Sequence, residues 1–299
     1  MTVAVLATSL FSTAHAALPA DADVLRNGAD PALQARLEER LDALKLDDSV
    51  AAGQLSVALV DVTDPDRPRL AQVNGDAMLY AASLPKIAIL FAAFQRIDEG
   101  ELALDAETRD LMTRMIRQSS NSAATEMMRR VGREYINDLL RSPEYRLYDE
   151  ELNGGLWVGK DYGRGSAYMR DPLHNLSHGA TAFQVARFYY LLETGQLVSP
   201  ELSREMKAIL GDPGINHKFV GGLAAAVPGA SIYRKSGSWQ DWHADSAIVE
   251  HDGRSYIAVG LAQNPSGGEW LERLIVELDG LIMDGAIRTA ELDSPAAQR

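Results

Sequence analysis

The stretch YAASLPK at residues 80–86, followed directly by an apolar run at residues 87–94, determines how the rest of this chain is interpreted. Pro85 suits the first turn of a helix, where a backbone N–H has no partner. Ser83 and Lys86 are three residues apart, so their side chains are expected on one face where that helix begins. Every residue of the run is apolar, which predicts a helix that is buried nearly all round.

The pairing of Ser83 with Lys86 is a candidate for nucleophilic chemistry. A lysine at the end of a buried helix loses part of its hydration, which lowers its pKa and makes it a base near neutral pH. A serine hydroxyl needs such a base nearby to act as a nucleophile. The S-x-x-K spacing alone has low specificity, because a chain of this length contains about one such match by chance. The pair therefore counts only together with other signals.

The bulk composition is that of a globular protein without cysteine. The 299 residues are 46% apolar and 24% charged, with a net charge of −13 at pH 7. A strongly acidic chain without a basic patch disfavours nucleic acid and anionic membrane surfaces as partners. The absence of cysteine excludes disulfides and thiolate metal sites. The length suits one large domain with a substantial core.

The first residues predict export. Residues 2–16 carry a short apolar run and end in the small-residue pattern AHA, which resembles a signal peptide cleaved after Ala16, although no basic residue precedes the run. The segment is too short to span a membrane. We therefore expect a signal peptide at residues 1–16 and a single soluble, monomeric domain at residues 17–299, located in the periplasm or outside the cell.

Strand-like segments at both chain ends and helical segments between them predict an α+β fold. The strand-like segments are residues 54–63, 70–73, 231–238, 246–250 and 256–262. The helical segments besides the one after Ser83 are residues 31–46, 106–118, 123–130, 134–140, 181–193, 200–209 and 270–286. We expect an antiparallel sheet of about five strands from residues 17–80 and 215–299, packed with helices, and a helical half at residues 81–214.

Two further polar clusters lie on the boundaries of these elements. Ser119 and Asn121 belong to a Ser/Asn cluster that ends one predicted helix and begins the next. Such a cluster is, by itself, most simply explained as an N-cap. Lys235, Ser236 and Gly237 lie in a strand-like segment, where glycine is unfavourable unless another part of the chain approaches the backbone closely. A bulge or an edge position is the simpler explanation there.

The three clusters together form a known set of motifs. S-x-x-K at the start of a buried helix, S-x-N on a helix–helix loop and K-S-G on a strand occur in this order in class A β-lactamases and penicillin-binding proteins. The chain therefore resembles the penicillin-recognising serine hydrolases, most closely the class A β-lactamases, over about residues 54–283. The resemblance implies a β-lactamase/transpeptidase-like fold and a serine acyl-enzyme, without a metal or another cofactor.

The resemblance also implies a role for each matching position near the helices. Ser83 is the implied nucleophile, and Lys86 is its proton acceptor. Ser119 is the implied donor of a proton to the leaving nitrogen. Asn121 is the implied partner of a substrate carbonyl group and of the lysine.

On the K-S-G strand the resemblance implies substrate binding. Lys235 sets the electrostatic field of the pocket, Ser236 binds a substrate carboxylate, and Gly237 belongs to the same binding segment. The backbone N–H groups of Ser83 and Ser238 form the implied oxyanion hole. Two lysines in one cleft lower each other's pKa, which helps Lys86 to act as a base.

Two departures from the class A pattern concern the cleft wall and the release of product. The spacer between Ser83 and Ser119 is shorter than in class A enzymes, so the cleft is expected to be more open on that side. Class A enzymes activate the deacylating water with the glutamate of an E-x-x-L-N motif. The closest string here is DEELN at residues 149–153.

Several interpretations of this acidic string remain open. Asp149 stands at the glutamate position, but its side chain is one methylene shorter, and a misplacement of about 1 Å can cost about a hundredfold in rate. Glu150 or Glu151 replaces it if the register differs, or all three acids form a solvated loop. Lys160 and Tyr162 are further candidates for lining the cleft.

The histidines give weaker signals. His174 and His178 have i, i+4 spacing but lie in a predicted loop without a third ligand, so we expect no metal site. His243 follows the K-S-G strand together with Trp239 and Trp242, and we expect it to shape the rim of the cleft.

We therefore expect a serine hydrolase that forms an acyl-enzyme at Ser83 and hydrolyses the amide bond of β-lactams. The expected partner is a small molecule with a carboxylate, since a cationic pocket suits an anionic substrate. A D-alanyl-D-alanine peptidase or another amidase that penicillin acylates is one alternative. A penicillin-binding or sensory domain without turnover is the other.

Overall fold

The computed structural model of the chain describes residues 24–292. The signal peptide that we predict at residues 1–16 lies outside them. The strands are β1 (Leu55–Asp61), β2 (Arg69–Val73), β3 (Leu79–Tyr80), β4 (Tyr148–Asp149), β5 (Gly154–Gly155), β6 (Trp157–Val158), β7 (His178–Ala180), β8 (Ser231–Trp239), β9 (Trp242–His251) and β10 (Arg254–Gln263). The helices are α1 (Val24–Asn27), α2 (Pro31–Ala43), α3 (Asp47–Ala51), α4 (Lys86–Asp98), α5 (Ala106–Arg117), α6 (Asn121–Val131), α7 (Arg133–Arg141), α8 (Ala182–Glu193), α9 (Pro200–Leu210), α10 (Phe219–Ala226) and α11 (Gly267–Leu292).

The main sheet has five antiparallel strands in the order β2-β1-β10-β9-β8. In its register, Leu59 pairs with Ala258 between β1 and β10, and Lys235 pairs with Ser246 between β8 and β9. Strands from both ends of the chain therefore lie side by side, and β8 is an edge strand. This arrangement confirms the predicted α+β fold with a sheet built from both chain ends.

Helices cover both faces of this sheet, so β1 is buried along its whole length. Ala58 and Val60 pack into a core that contains α4 and α8. Val57 and Leu59 point to the opposite side, into a second core that contains α2 and α11. The alternation follows from the two-residue period of a strand, and apolar residues at every position of β1 are what a strand between two cores requires.

The helix after Ser83 lies in the larger core, as its sequence predicts. Residues 86–94 of α4 are all buried, each with 0% exposure. The helix begins at Lys86, and Pro85 precedes it with a φ of −64°. Ser83 therefore lies in the turn before the helix, and the Lys86 N–H donates to its carbonyl oxygen at 3.3 Å.

Sequence patterns missed α1, α3, α10 and the short strands β3–β7, and they placed the start of β9 four residues too late. The sequence of α10 contains Gly221 and Gly222, which disfavour a helix by themselves. Packing against α11 explains Gly222, because a Cβ at that position would come within 2.3 Å of the Glu272 carbonyl oxygen. Tertiary contact therefore overrides the weak helix propensity of this segment.

None of the helices within residues 24–292 is both long enough and apolar enough to cross a membrane.

Candidate active site

Three separate segments bring Lys86, Ser119, Asn121 and Lys235 together. The Lys86 ammonium donates to the Ser119 carbonyl oxygen at 2.6 Å and to Asn121 Oδ1 at 2.8 Å. It also lies 3.3 Å from Ser119 Oγ. From the other side, Lys235 Nζ donates to Ser119 Oγ at 2.9 Å. The Ser119 hydroxyl therefore lies between two lysines, and its own proton is left for another acceptor.

The loop between α5 and α6 places these polar groups. Ser120 is the N-cap of α6, and its hydroxyl accepts from the Ala123 N–H at 3.2 Å. The capping explanation therefore holds for Ser120, which leaves Ser119 and Asn121 free to contact Lys86. Ser119 has a φ of +54°. A serine in this left-handed region is strained, and such strain is common at functional sites.

Gly237 lets the edge strand β8 approach the turn that carries Ser83. A Cβ at Gly237 would lie 2.2 Å from the Ala81 carbonyl oxygen and 2.8 Å from the Ser83 backbone nitrogen. Any other side chain would push β8 away from this turn. The close backbone approach that a glycine in this strand indicates is thus confirmed. Ser238 follows Gly237 directly and lines the same cavity as Ser83.

Burial determines the charge state of the two lysines. Burial of Lys86 lowers its pKa to about 7, so a large fraction of this side chain is a neutral amine at neutral pH. The ring of Tyr162 lies 4.5 Å from Lys86 Nζ and covers it on one side. Burial also holds the pKa of Lys235 well below its usual range, and the positive charge of Lys86 lowers it further.

A cavity of about 310 Å³ opens directly in front of these groups. It is lined by residues of the Ser83 turn, the Ser119 loop, the segment after β6, and β8. The lining residues are Tyr80, Ala82, Ser83, Asn121, Lys160, Asp161, Tyr162, Gly163, Arg164, His178, Ser238 and Trp239. Lys86, Lys235 and Ser236 are buried, at 0%, 1% and 5% exposure. Ser83, the candidate nucleophile and one candidate oxyanion-hole residue, and Ser238, the other oxyanion-hole candidate, therefore line the same space.

The acids of the string at residues 149–153 have partners or exposure of their own. Asp149 pairs with Arg146 at 2.5 Å and accepts from the Glu151 N–H at 3.0 Å. Glu150 pairs with Arg141 at 3.1 Å, and the Glu151 side chain is 88% exposed. Asp149 also caps the short 3-10 turn at Glu150–Leu152. The described lining of the cavity contains none of these three acids.

The segment after β6 supplies Asp161, to which the sequence assigns no role, and Tyr162, which the sequence only places among the candidates for lining the cleft. Tyr162 covers Lys86 and donates to the Ala82 carbonyl oxygen at 3.4 Å. Asp161 lines the cavity, but it forms a two-pronged ion pair with Arg133 at 2.6 and 2.7 Å. Hydrogen bonds from Arg133 hold the pKa of Asp161 below its usual range. The only signal in the sequence was a long segment without periodicity.

The histidines have other partners. His178 Nε2 lies 3.0 Å from the Lys160 carbonyl oxygen, and burial lowers its pKa to about 4, which keeps the ring neutral. His174 instead contacts Asn153 at 3.0 Å. Within the described residues, no group of three or more His, Asp or Glu side chains is arranged to hold a metal ion.

The three residues predicted at the rim, Trp239, Trp242 and His243, have different surroundings. Trp239 lines the cavity and is 59% exposed. Trp242 packs edge-on against Tyr80, with ring centroids 6.0 Å apart. His243 lies beside the start of α11, where a Cβ on Gly267 would come within 2.9 Å of its ring. Of the rim candidates, Trp239 is therefore the one that faces the cavity.

Comparison with known proteins gives consistent results. A sequence model described as the beta-lactamase enzyme family matches residues 36–109 and 106–283, which is most of the chain. No curated protein sequence matches the chain.

Solved structures with similar folds have low sequence identity. A class A beta-lactamase representative from Bacteroides cellulosilyticus has a TM-score of 0.65 and 16% identity, covering 84% of this chain and 97% of that one. A beta-lactamase from Sphaerobacter thermophilus has a TM-score of 0.62 and 20% identity, covering 78% and 94%. The protein PBP-A has a TM-score of 0.62 and 17% identity, covering 86% and 97%. At such identities the structural similarity shows a shared fold.

Proposed function

Because the chain belongs to the beta-lactamase enzyme family, we propose that it is a serine hydrolase that forms an acyl-enzyme at Ser83 and opens the amide bond of β-lactams. The observation that carries this proposal is the position of Lys86. Its buried amine, with a pKa of about 7, lies between Ser119 and Asn121, one helical turn from Ser83. A base with a pKa near the working pH is the most effective proton acceptor for a serine nucleophile.

The proposed acylation uses these groups in turn. Ser83 Oγ attacks the carbonyl carbon while the neutral Lys86 amine accepts the hydroxyl proton. The negative charge on the carbonyl oxygen is stabilised by the backbone N–H groups of Ser83 and Ser238. When the C–N bond breaks, the Ser119 hydroxyl gives its proton to the leaving nitrogen and receives one from the Lys86 ammonium. Water later hydrolyses the ester and restores Ser83.

The charge of the site supports an anionic small molecule as substrate. Lys235 lies behind Ser119, and Lys160 and Arg164 line the cavity, in a chain whose net charge is −13. Ser236 is our proposed partner of the substrate carboxylate. Export and a monomeric state, both predicted from the sequence, complete this proposal.

A second candidate function is a D-alanyl-D-alanine peptidase, or a related amidase, that β-lactams acylate and that releases the bound acyl group slowly. The observation that favours it is the pairing of the acids. Asp149 is held by Arg146, and Asp161, which does line the cavity, is held by Arg133. A carboxylate in a two-pronged ion pair is a weak base for activating water. A penicillin-binding domain without turnover would share this property.

One experiment separates these functions. The purified protein is mixed with benzylpenicillin, and its intact mass is followed over time beside a Ser83→Ala control. A transient adduct with continued consumption of penicillin supports the β-lactamase. An adduct that persists supports the peptidase or the binding domain, which peptide turnover then distinguishes. A wild-type protein that never gains mass would overturn the proposal for β-lactams.

A further inference from the structure

Lys218 is a buried lysine outside the three motifs, and its ammonium group lies against the strand that carries Ser238. Lys218 is 3% exposed and directly precedes α10. Its Nζ donates to the Gly237 carbonyl oxygen at 2.5 Å, to Ser238 Oγ at 2.8 Å and to the Ala244 carbonyl oxygen at 3.1 Å. An ammonium group has three donors, and here all three are used.

The contact with the Gly237 carbonyl has a specific consequence. This carbonyl and the Ser238 N–H are the two ends of one peptide group. A positive charge at the oxygen draws electron density through the conjugated amide and makes the N–H a stronger donor. The same contact, together with the one to Ser238 Oγ, restrains the rotation of this peptide plane. Gly237 in turn packs against the Ser83 backbone nitrogen, so the peptide lies at the acylation site.

We propose that Lys218 is a positioning residue that orients and polarises the Gly237–Ser238 peptide, so that the Ser238 N–H stabilises the oxyanion formed when Ser83 is acylated. This inference rests on the proposed function, because it assigns a task within that reaction. The three sequence motifs do not include Lys218, and the mechanism above does not use it.

A buried ion pair holds Lys218 in place. The Asp245 carboxylate, which is fully buried, accepts from Arg234 Nε and Nη2, both at 2.7 Å. It also accepts from the Phe219 N–H at 3.1 Å, directly after Lys218 in the chain. Asp245 therefore fixes the start of α10 relative to β8 and β9, and with it the position of the Lys218 side chain.

The charge of Lys218 depends on pH in an accessible range. Burial lowers its pKa to about 8; Asp245 on β9 opposes this shift, and Arg234 on β8 reinforces it. The other titratable groups that interact with it are Lys235 on β8, His243 on β9 and its neighbour His217. Above pH 8 the ammonium loses its proton, so the polarisation of the peptide is lost as the pH rises.

The test compares wild type with Lys218→Met, which keeps the length of the side chain but not its charge, and with Lys218→Arg, which keeps the charge. The acylation rate of Ser83 by benzylpenicillin is measured by intact mass between about pH 6 and pH 10. We expect the wild-type rate to decline above about pH 8. Lys218→Met is expected to be about 10- to 100-fold slower at pH 7, a fraction of the effect of a whole oxyanion-hole donor, and to lose the alkaline decline. Lys218→Arg is expected to recover most of the rate and to extend activity to higher pH.

Two results would overturn the inference. One is a Lys218→Met variant that acylates at the wild-type rate. The other is a slow variant that keeps the alkaline decline and is not rescued by arginine, which would mean that Lys218 only stabilises the fold.

A second probe separates this inference from the proposed function. A fluorophosphonate forms a P–O bond to an activated serine and releases fluoride, and it needs no β-lactam recognition. If wild type reacts with it but not with penicillin, the substrate proposal fails while the Lys218 comparison is still measured with this probe. A wild-type Ser83 that is inert to both reagents would overturn both proposals.

Discussion

Two regions meet at the cavity and partner their polar groups differently. One is the acylation corner of Ser83, Lys86, Ser119 and Lys235, which reaches the cavity through Ser83, and the other is the loop at residues 160–164. In the acylation corner, the polar atoms contact one another: Lys86 and Lys235 both reach the Ser119 hydroxyl. In the loop at residues 160–164, the carboxylate of Asp161 is turned to Arg133. The comparison teaches that Ser119, the proposed proton donor, is already linked to both lysines in the resting protein, whereas the Asp161 carboxylate is held in an ion pair.

The most direct way to break this comparison is to remove the base of the corner. Lys86→Met should lower the acylation rate about a thousandfold, the usual contribution of a positioned general base. The measurement is the rate of adduct formation with benzylpenicillin by intact mass. Lys45→Met, which removes an exposed lysine between α2 and α3, is the matched control. A Lys86→Met variant that acylates within tenfold of wild type would show that another group accepts the proton.

The pH dependence of acylation sharpens the same point with an intact protein. Lys86 acts as a base only when neutral, and burial places its pKa at about 7. The rate is therefore expected to fall about tenfold for each pH unit below 7, and to level off just above it. Acylation followed in buffers between about pH 5 and pH 8 measures this. A rate that stays flat across that range would exclude Lys86 as the titrating base.

Tyr162 belongs to the loop at residues 160–164 but covers Lys86 of the acylation corner, so its removal should change the pKa of that lysine. Its ring covers Lys86, so Tyr162→Ala admits water, weakens the burial and raises the pKa of Lys86 towards its ordinary value. We expect the midpoint of the pH profile to move to higher pH. The acylation rate at pH 7 should fall by up to about tenfold, because each unit by which the pKa of Lys86 rises lowers the neutral, basic fraction of its amine by up to that factor. Tyr162→Phe, which keeps the ring, should retain the wild-type midpoint. An unchanged midpoint in Tyr162→Ala would contradict the role of the ring.

The smallest effect is expected at Asp149. Its carboxylate pairs with Arg146 and caps the following 3-10 turn, so Asp149→Ala should cost about 1 kcal/mol of stability. The rate at which the penicillin adduct is released should not change, because the side chain does not reach the cavity. Thermal unfolding and decay of the adduct measure the two quantities. Asp161→Asn is the variant for comparison, because Asp161 does line the cavity. If release slows in Asp149→Ala but not in Asp161→Asn, Asp149 has the role in releasing the product that its motif position suggests.

The acylation corner was accessible to sequence reasoning because each of its parts carries a local signal. Ser83 and Lys86 share a helical spacing, Ser119 and Asn121 flank a capping serine, and Gly237 is out of place in a strand. Each pattern reports a constraint that acts within a few residues, so it is visible without knowledge of the fold. The resemblance of this ordered set to the penicillin-recognising serine hydrolases then implied which elements meet.

Lys218 and Asp161, by contrast, could not be assigned to the site from the sequence, and Tyr162 could only be suggested. Their contacts depend on the path of irregular segments, which no periodicity reports. Lys218 reaches Gly237 because Asp245, far along the chain, fixes the start of α10. Asp149 shows the opposite case: a string that matches a motif is directed elsewhere by its arginine neighbour. The position of Lys218 thus depends on long-range packing, whereas the contacts of Asp149 are local ion-pair and capping contacts that the motif match does not take into account.

The pairing of β1 with β10 has a consequence for how the protein is made. Most of the chain separates these strands, yet they are neighbours in the sheet. A growing chain emerges from its N-terminus onward, so Ser83 and Lys86 leave the ribosome long before Lys235 and the strands that hold it. Contacts between such distant segments form slowly because a large loop has to close first. Ser83 therefore lacks its full set of partners until β8, β9 and β10 have been synthesised, and we expect the proposed acylation of Ser83 only after that point.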